Sequence, residues 1–411
     1  MREMKDSGIE WIGRIPEDWN IVRVKQAFIR KNEKAQQENP VVLSLARAGV
    51  KVRDVSTNEG QVAESYYNYN PVSVGDLLLN PMDLYSGANC SLSEVEGVIS
   101  PAYVNLKNKE GYFSKFYDYY FKVQYWMMVL FAHGKGVSFD NRWTLNHETL
   151  MNFPIVSPAY ETQKRIANYL DEKCGKIDRY IEKQQHVIEK LKAYKQSVIT
   201  EAVAYRNGWT SCHLGYLAQF KNGLNYSGLS TDVEIKFLGV GDFQAHFILD
   251  SKEMFSTLKF DGNMPEDLLL KSGDIVFVRS NGSKELVGRS VLIENIDYPL
   301  TYSGFCIRMR NYRQDAVLSK FLLYRFWSNE FRQSLNRDSR GSNINNLNQE
   351  LLSKLTVSFP NIKEQRDIID FLDKKCAEID RTIDKKQLLI DKLTEYKKSL
   401  IYEAVTGKME V

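Results

Sequence analysis

Gln163-Lys164-Arg165-Ile166-Ala167-Asn168-Tyr169-Leu170-Asp171 returns, 202 residues later, as Gln365-Arg366-Asp367-Ile368-Ile369-Asp370-Phe371-Leu372-Asp373. The match runs without a gap from Pro158–Val203 to Pro360–Val405, and 23 of the 46 paired positions are identical. Both copies pass through Lys-Cys and Ile-Asp-Arg-x-Ile and close on Tyr-Lys-x-Ser-x-Ile-x-Glu-Ala-Val. An internal repeat signals a repeated structural unit, and this period is domain-sized, unlike that of a solenoid. A longer, dissimilar stretch precedes each copy. The chain therefore divides into a variable domain (1–157), a repeat (158–206), a second variable domain (207–358) and a second repeat (359–411).

Each repeat reads as one long helix. In the first, the seam runs Leu170, Cys174, Ile177, Ile181, Gln184, Ile188, Leu191, Lys195, Val198, Ala202. In the second it runs Leu372, Cys376, Ile379, Ile383, Lys386, Ile390, Leu393, Lys397, Leu400, Ala404. Steps of four and three alternate, which is a heptad seam. About 40 helical residues at 1.5 Å rise make a rod of roughly 60 Å. Such a helix needs a partner for its stripe. The strict 3.5-residue period favours the other copy, antiparallel if a pseudo-twofold axis relates the two halves, over packing of each helix on its own domain. Gln184, Lys195, Lys386 and Lys397 either fix register or lie at the seam edge and snorkel.

Composition narrows the function. The 411 residues, 43% of them apolar, predict two or three domains with real cores. No apolar run is long enough to span a membrane, and the charged start, Met1 to Trp11, lacks a signal core. Cys90, Cys174, Cys212, Cys306 and Cys376 are scattered and never form Cys-x-x-Cys, which fits a reducing cytoplasm and small core hydrophobes. The five histidines, His133, His147, His186, His213 and His246, show no metal-ligand spacing. A net charge of +3 neither requires nor excludes nucleic acid, so a DNA-binding face must come from local clustering. Phe237-Leu238-Gly239-Val240-Gly241 and Asn80-Pro81-Met82-Asp83 superficially resemble methyltransferase motifs. The first leads into no convincing helix, and the second lacks the aromatic that stacks a flipped base. The chain is expected to be non-catalytic and to bind no cofactor.

The variable domains are also faintly related. Ser114-Lys115-Phe116 recurs as Ser319-Lys320-Phe321, and Gly136 as Gly341; helical stretches, Phe116–Phe131 and Phe321–Leu335, lie between. Val74-Gly75-Asp76-Leu77-Leu78-Leu79 resembles Ser272-Gly273-Asp274-Ile275-Val276-Phe277, each a Gly-Asp turn feeding an apolar strand. Both domains read as α+β. Around the glycines, basic and amide side chains gather: Lys135, Ser138, Asn141 and Arg142 in the first domain, and Arg337, Arg340, Ser342, Asn343 and Asn345 in the second, downstream of Arg325 and Arg332. A further knot holds Arg279, Asn281 and Lys284, with Arg289 nearby. Arg and Lys bond phosphates and guanine edges, and Asn bonds adenine bidentately. Similar loops in two related domains weigh against ordinary polar turns.

Together, this organisation and several strings resemble the specificity subunit of type I restriction–modification enzymes. The opening Ser7-Gly8-Ile9-Glu10-Trp11-Ile12-Gly13-x-Ile15-Pro16-x-x-Trp19 is similar to the start of many such subunits. Each variable domain ends in a proline, then Gln163 or Glu364-Gln365 and a long helix, and Asn207-Gly208-Trp209 restarts the second half. Thr162 departs from the glutamate typical of the family. The resemblance implies two target recognition domains, each reading half of a split, asymmetric site on double-stranded DNA. The two helices, an antiparallel coiled coil, would set the separation, with half-sites about one helical turn, ~34 Å, apart. It also implies two methyltransferase subunits, which use S-adenosylmethionine, and restriction subunits, which use ATP with Mg²⁺. Asp178, Arg179, Tyr194, Glu201, Asp380, Arg381, Tyr396 and Glu403 are candidates for partner contacts, or for local helix ion pairs worth about 0.3–0.5 kcal/mol each. A coiled-coil adaptor without DNA affinity and an adenine methyltransferase are the alternatives. Inserting one heptad after Lys190 is expected to change the spacer between half-sites; an unchanged spacer defeats the ruler.

Overall fold

The computed structural model describes residues 2–46, 49–56, 63–82, 84, 90–136, 143–225, 233–243, 247–260, 264–282, 286–338 and 347–411. The chain divides into two compact units, Met1–Gln184 with Leu388–Val411, and Gln185–Gln387. Two long helices, Tyr160–Ala202 and Ile362–Val405, each begin in one unit and end in the other. Among the described residues no helix is long and apolar enough to cross a membrane.

The first unit carries an antiparallel sheet ordered Phe28–Lys31, Val104–Asn108, Leu77–Leu79, Cys90–Leu92. Strand Asn20–Arg23 pairs with Pro154–Ser157 and closes the domain just before the first long helix. The second unit repeats the plan. Its sheet is ordered Ala218–Asn222, Cys306–Asn311, Ile275–Val278, Ser290–Ile293, Ile248–Leu249, with only the last pair parallel. Thr210–His213 pairs with Thr356–Phe359. A three-stranded sheet of Ser256–Phe260, Val233–Leu238 and Leu300–Tyr302 is added.

The Gly-Asp turns explain why both central strands start where they do. Gly75 and Gly273 sit at φ +88° and +92°, a region that suits glycine. The buried aspartate that follows ties the turn: Asp76 Oδ2 accepts the Ser73 amide at 2.8 Å, and Asp274 Oδ2 the Lys271 amide at 2.7 Å. A cation from a strand of the same sheet balances each charge, Lys31 at 2.6 Å and Arg310 at 2.7 Å.

The sequence places helices at Phe116–Phe131 and Phe321–Leu335; both run differently. The first is Ser114–Trp126 and ends in a turn where Met128 adopts φ +56°. The second breaks at Ser328, leaving Ser319–Trp327 and Asn329–Asp338. The Ser328 hydroxyl donates to Arg325 O at 2.7 Å and accepts the Phe331 amide at 3.3 Å, ending one helix and capping the next.

The repeated residues turn out to be the fasteners. Gln163 is fully buried. Its Oε1 accepts the Phe113 amide at 2.8 Å and its Nε2 donates to Pro158 O at 2.8 Å, locking the start of the long helix to the start of the domain helix. Gln365 does the same with Leu318 and Pro360, both at 2.8 Å, and also donates to Ala316 O. Two turns on, Asp171 accepts the Tyr119 hydroxyl at 2.9 Å and pairs with Lys115 at 2.6 Å. Asp373 receives Tyr324 at 2.6 Å and Lys320 at 2.8 Å. Burial first, then the neighbouring carboxylate, holds both phenols well above their usual range, so each stays a donor.

Within the first unit Ile166, Ala167, Leu170 and Cys174 share a core with Leu400, Ile401, Ala404 and Val405. Within the second, Val198, Ile199, Ala202 and Val203 share one with Ile368, Ile369, Leu372 and Cys376. The start of one helix thus lies with the end of the other, running antiparallel in each unit. Each helix start also packs on the domain that precedes it, so the two packing schemes coexist. The seam lysines bridge the helices: Lys397 to Asp178 and Lys195 to Asp380, both at 2.6 Å.

Gln365→Leu removes the side-chain partner of three backbone groups, Pro360 O in a buried setting and Leu318 N and Ala316 O in part-buried ones, at about 1–3 kcal/mol for the buried group. Amides of the helix Ser319–Trp327 are expected to exchange at least ~30-fold faster, the equivalent of about 2 kcal/mol. Those of Ser114–Trp126 should be unchanged; uniform acceleration in both helices would show that the glutamine is not a local clamp.

Candidate nucleic-acid interface

In both units the central strand and the Gly-loop region meet in the same way. The first unit's strand Leu77–Leu79 runs into Asn80 and Pro81, and the Pro81 carbonyl accepts the Leu145 amide at 2.8 Å. In the second, Ile275–Val278 runs into Arg279, whose carbonyl accepts the Leu347 amide at 2.8 Å. Leu145 and Leu347 are buried and anchor the return of each loop. The next residue then starts a short helix: Asn146 Oδ1 accepts the Glu148 amide at 2.8 Å, and Asn348 Oδ1 the Leu351 amide at 2.7 Å. Leu145 and Leu347, each following its Gly segment in sequence, thus stand at the end of the central strand.

In the second unit this edge is held by backbone contacts. The Arg279 amide donates to Phe305 O at 2.7 Å, and its Nη1 donates to Gly304 O at 3.4 Å. Gly304 donates in turn to Leu224 O at 2.7 Å, and a Cβ there would collide with the Asn225 side chain. The tip is therefore backbone-tight, yet it presents Phe305 62% exposed beside the half-buried Arg279 and the exposed Asn281. An apolar face next to a guanidinium and an amide can stack on a base while its neighbours bond phosphate or base edges. Sequence pattern missed Phe305. The available signal was one aromatic in a Ser-Gly-Phe turn.

In the first unit, Lys135 and Thr144 exchange backbone bonds at 2.8 and 3.0 Å at the base of the Gly loop, and the Lys135 side chain is exposed. Trp143 Nε1 donates to Phe131 O at 2.9 Å. Ser138, Asn141, Arg142, Lys284, Arg340, Ser342, Asn343 and Asn345 lie outside the described residues, and of Arg337 only the helical backbone is described.

Three upstream arginines that looked part of the basic run have internal work. Arg325 is buried, donating to Val203 O at 2.9 Å and pairing with Glu330 at 2.7 Å. Arg332 Nη1 donates to Val287 O, and Arg289 lies over the Trp327 ring. The two methyltransferase-like strings have structural roles: the Asn80 side chain accepts the Met82 amide, and Asp242 Oδ2 accepts the Gly239 amide. No group of three His, Cys, Asp or Glu among the described residues could hold a metal ion.

The candidate partner contacts separate into two groups. Asp178 and Asp380 are engaged by the interhelical lysines, and Arg179 and Arg381 donate to the carbonyls of Gly175 and Ala377 on their own helices. Tyr194 and Tyr396 are exposed, as are Glu201 and Glu403.

Residues 207–390 match the family described as the type I restriction modification DNA specificity domain. The chain is 28% identical over 347 residues, 80% of its length and 70% of the relative's, to the type I restriction enzyme StySPI specificity subunit of Salmonella potsdam. It is 27% identical over 136 residues, 33% of its length and 29% of the relative's, to the EcoKI specificity subunit of Escherichia coli strain K12. A chain solved in work on complex assembly and conformational transition of the type I R-M system superposes with a TM-score of 0.71 at 14% identity, covering 96% of this chain and 99% of that one; that likeness concerns the fold. Residues 207–390 thus carry the type I specificity domain, and the chain as a whole resembles type I restriction–modification specificity subunits.

Gly304→Val is expected to remove DNA binding by the second domain while the first unit keeps its hydrogen-exchange protection, because the added side chain meets the backbone and Asn225 at the tip. Unaltered DNA binding would show that the tip does not face DNA.

Proposed function

We propose that this chain is the DNA-reading, non-catalytic subunit of a cytoplasmic type I restriction–modification enzyme. Each globular domain reads one half of a bipartite site, and because the domains differ in sequence the site is asymmetric. The observation that supports this most is the shared anchoring of Leu145 and Leu347 at the ends of corresponding strands in two diverged domains, each followed by a helix that keeps 23 of 46 positions. A binding module that varies its readout while holding its partners constant needs that division.

In this proposal the loops around Lys135–Arg142 and the cluster of Arg279, Asn281, Lys284 and Arg337–Asn345 touch DNA, with Phe305 added. The antiparallel pairing found inside each unit continues along both helices as a coiled coil, with a pseudo-twofold axis relating the halves, and sets the spacing of the half-sites. Two methyltransferase subunits dock around the repeated helices and supply S-adenosylmethionine chemistry; restriction subunits supply ATP- and Mg²⁺-dependent cleavage. Tyr194, Tyr396, Glu201 and Glu403 face those partners.

The test is co-expression with its methyltransferase subunit in a methylation-free host, followed by a genome-wide map of N6-methyladenine. A single split asymmetric motif, methylated on both strands, is expected; a soluble complex that yields no motif would favour the adaptor. Arg279→Ala, Arg340→Ala or Asn343→Ala should relax one half-site only, at about 1–3 kcal/mol for a bidentate base contact. Equal loss at both half-sites would assign the residue to phosphate or to folding.

A further inference from the structure

The two repeats are alike in sequence but differ in what lies upon them. In the first unit the chain's last residues cover the helix pair. Lys408 Nζ donates to Ile12 O at 2.7 Å, and Arg165 Nε donates to Val411 O at 2.7 Å. Met409 and Val411 pack against the core, and the Tyr169 hydroxyl comes within 3.9 Å of Met409 Sδ. The tail covers the Arg165–Tyr169 side of the helix pair and leaves Tyr396, the counterpart of Tyr194, 58% exposed; in the second unit the corresponding surface is an open groove of about 530 Å³ lined by Tyr194, Val198, Glu201, Asp367, Ile368 and Phe371, among others. Phe371 stands where Tyr169 does in the repeat and is 53% exposed; Tyr194 is 51% exposed. Here the chain after the helix lays down no tail. It passes through Arg206-Asn207-Gly208 to Trp209, whose indole N–H donates to Glu364 Oε1 at 3.3 Å.

The charge differs as well. Arg165, which holds the tail carbonyl, is replaced by Asp367, and Thr162 by Glu364. Glu201, Glu364 and Asp367 therefore rim the open groove, with Arg206 the one cation among the described residues that line it. An apolar floor with exposed aromatic rings and an acidic rim suits a short segment with an apolar side chain next to Lys or Arg. The tail in the first unit shows the packing half of that arrangement, a thioether and a valine laid on the same helix positions.

We propose that the groove at Phe371 and Tyr194 seats a basic, apolar-anchored segment of the methyltransferase subunit, and that the chain's own C-terminal residues hold the part of the equivalent place around Tyr169 in the first unit. This rests on the family's partnership with methyltransferase subunits. The occupant is a protein segment rather than DNA, because the rim is acidic.

Native mass spectrometry of the full-length chain co-purified with its methyltransferase subunit tests the assignment. Two variants at exposed positions are compared with the wild type, Phe371→Ser and the pair Glu201→Lys with Asp367→Arg. Each should weaken the loading of one methyltransferase copy at least tenfold and leave the other bound, with the thermal unfolding of the free chain unchanged. Full loading of both copies in both variants overturns the groove assignment and leaves the family reading intact. So does equal loss of both copies, which would mean that the groove does not serve one docking position. A wild-type chain that binds no methyltransferase subunit defeats the partnership, and the inference with it.

Discussion

Helices of 43 and 44 residues each carry an apolar stripe that neither can bury alone, and the architecture follows from that need. Coverage comes from two sources at once. The first turns of each helix sink into the domain that precedes it, and the last turns of the other helix lie on top. Every buried Ile or Leu in these stripes contributes about 1.5–3 kcal/mol when its alternative is exposure to water. Each helix therefore belongs to both units, and each unit's core is incomplete without the end of a helix that starts elsewhere in the sequence.

Directional contacts decide how that burial is used. The glutamine clamp, the aspartate that takes a tyrosine and a lysine, and the interhelical Lys–Asp bridge occur once in each unit at corresponding positions. Buried amides and carboxylates tolerate few geometries, because an unpaired one costs more than a paired one contributes. They fix the angle at which helix leaves domain, so the framework stays the same while the loops at the far end of the central strand change. Identity is concentrated in the two helices, and divergence spreads through the domains that precede them.

Much of this was legible in the chain. The Gln-x-x-Ile-x-x-x-Leu-Asp phrase marked both helix starts, although its polar members announced themselves only as repeated letters. Lys195 and Lys397 looked like seam positions with two possible uses, and the structure gives them a third, as ion pairs to Asp380 and Asp178. The Gly-Asp turns were visible because φ above zero and an aspartate cap leave a recognisable dipeptide. The break at Ser328 was not, since a serine inside a helical pattern can either bond back to the helix or cap a new one. At the candidate interface, Arg325, read as part of the basic run, is buried, and Phe305, which no pattern singled out, is exposed.

Sequence alone determined the duplication, the two long amphipathic helices, the mixed α and β character of both domains and the resemblance to type I specificity subunits, because repetition and hydrophobic period are properties of the chain read in order. Tertiary structure decided which side chains are fasteners and which are free to meet a partner. The Tyr169 side of the first helix pair is covered by the tail, while its counterpart around Phe371 is open, although the helices beneath are repeats of each other. Burial and pairing depend on what arrives from distant parts of the chain, and spacing along one segment carries no record of that arrival.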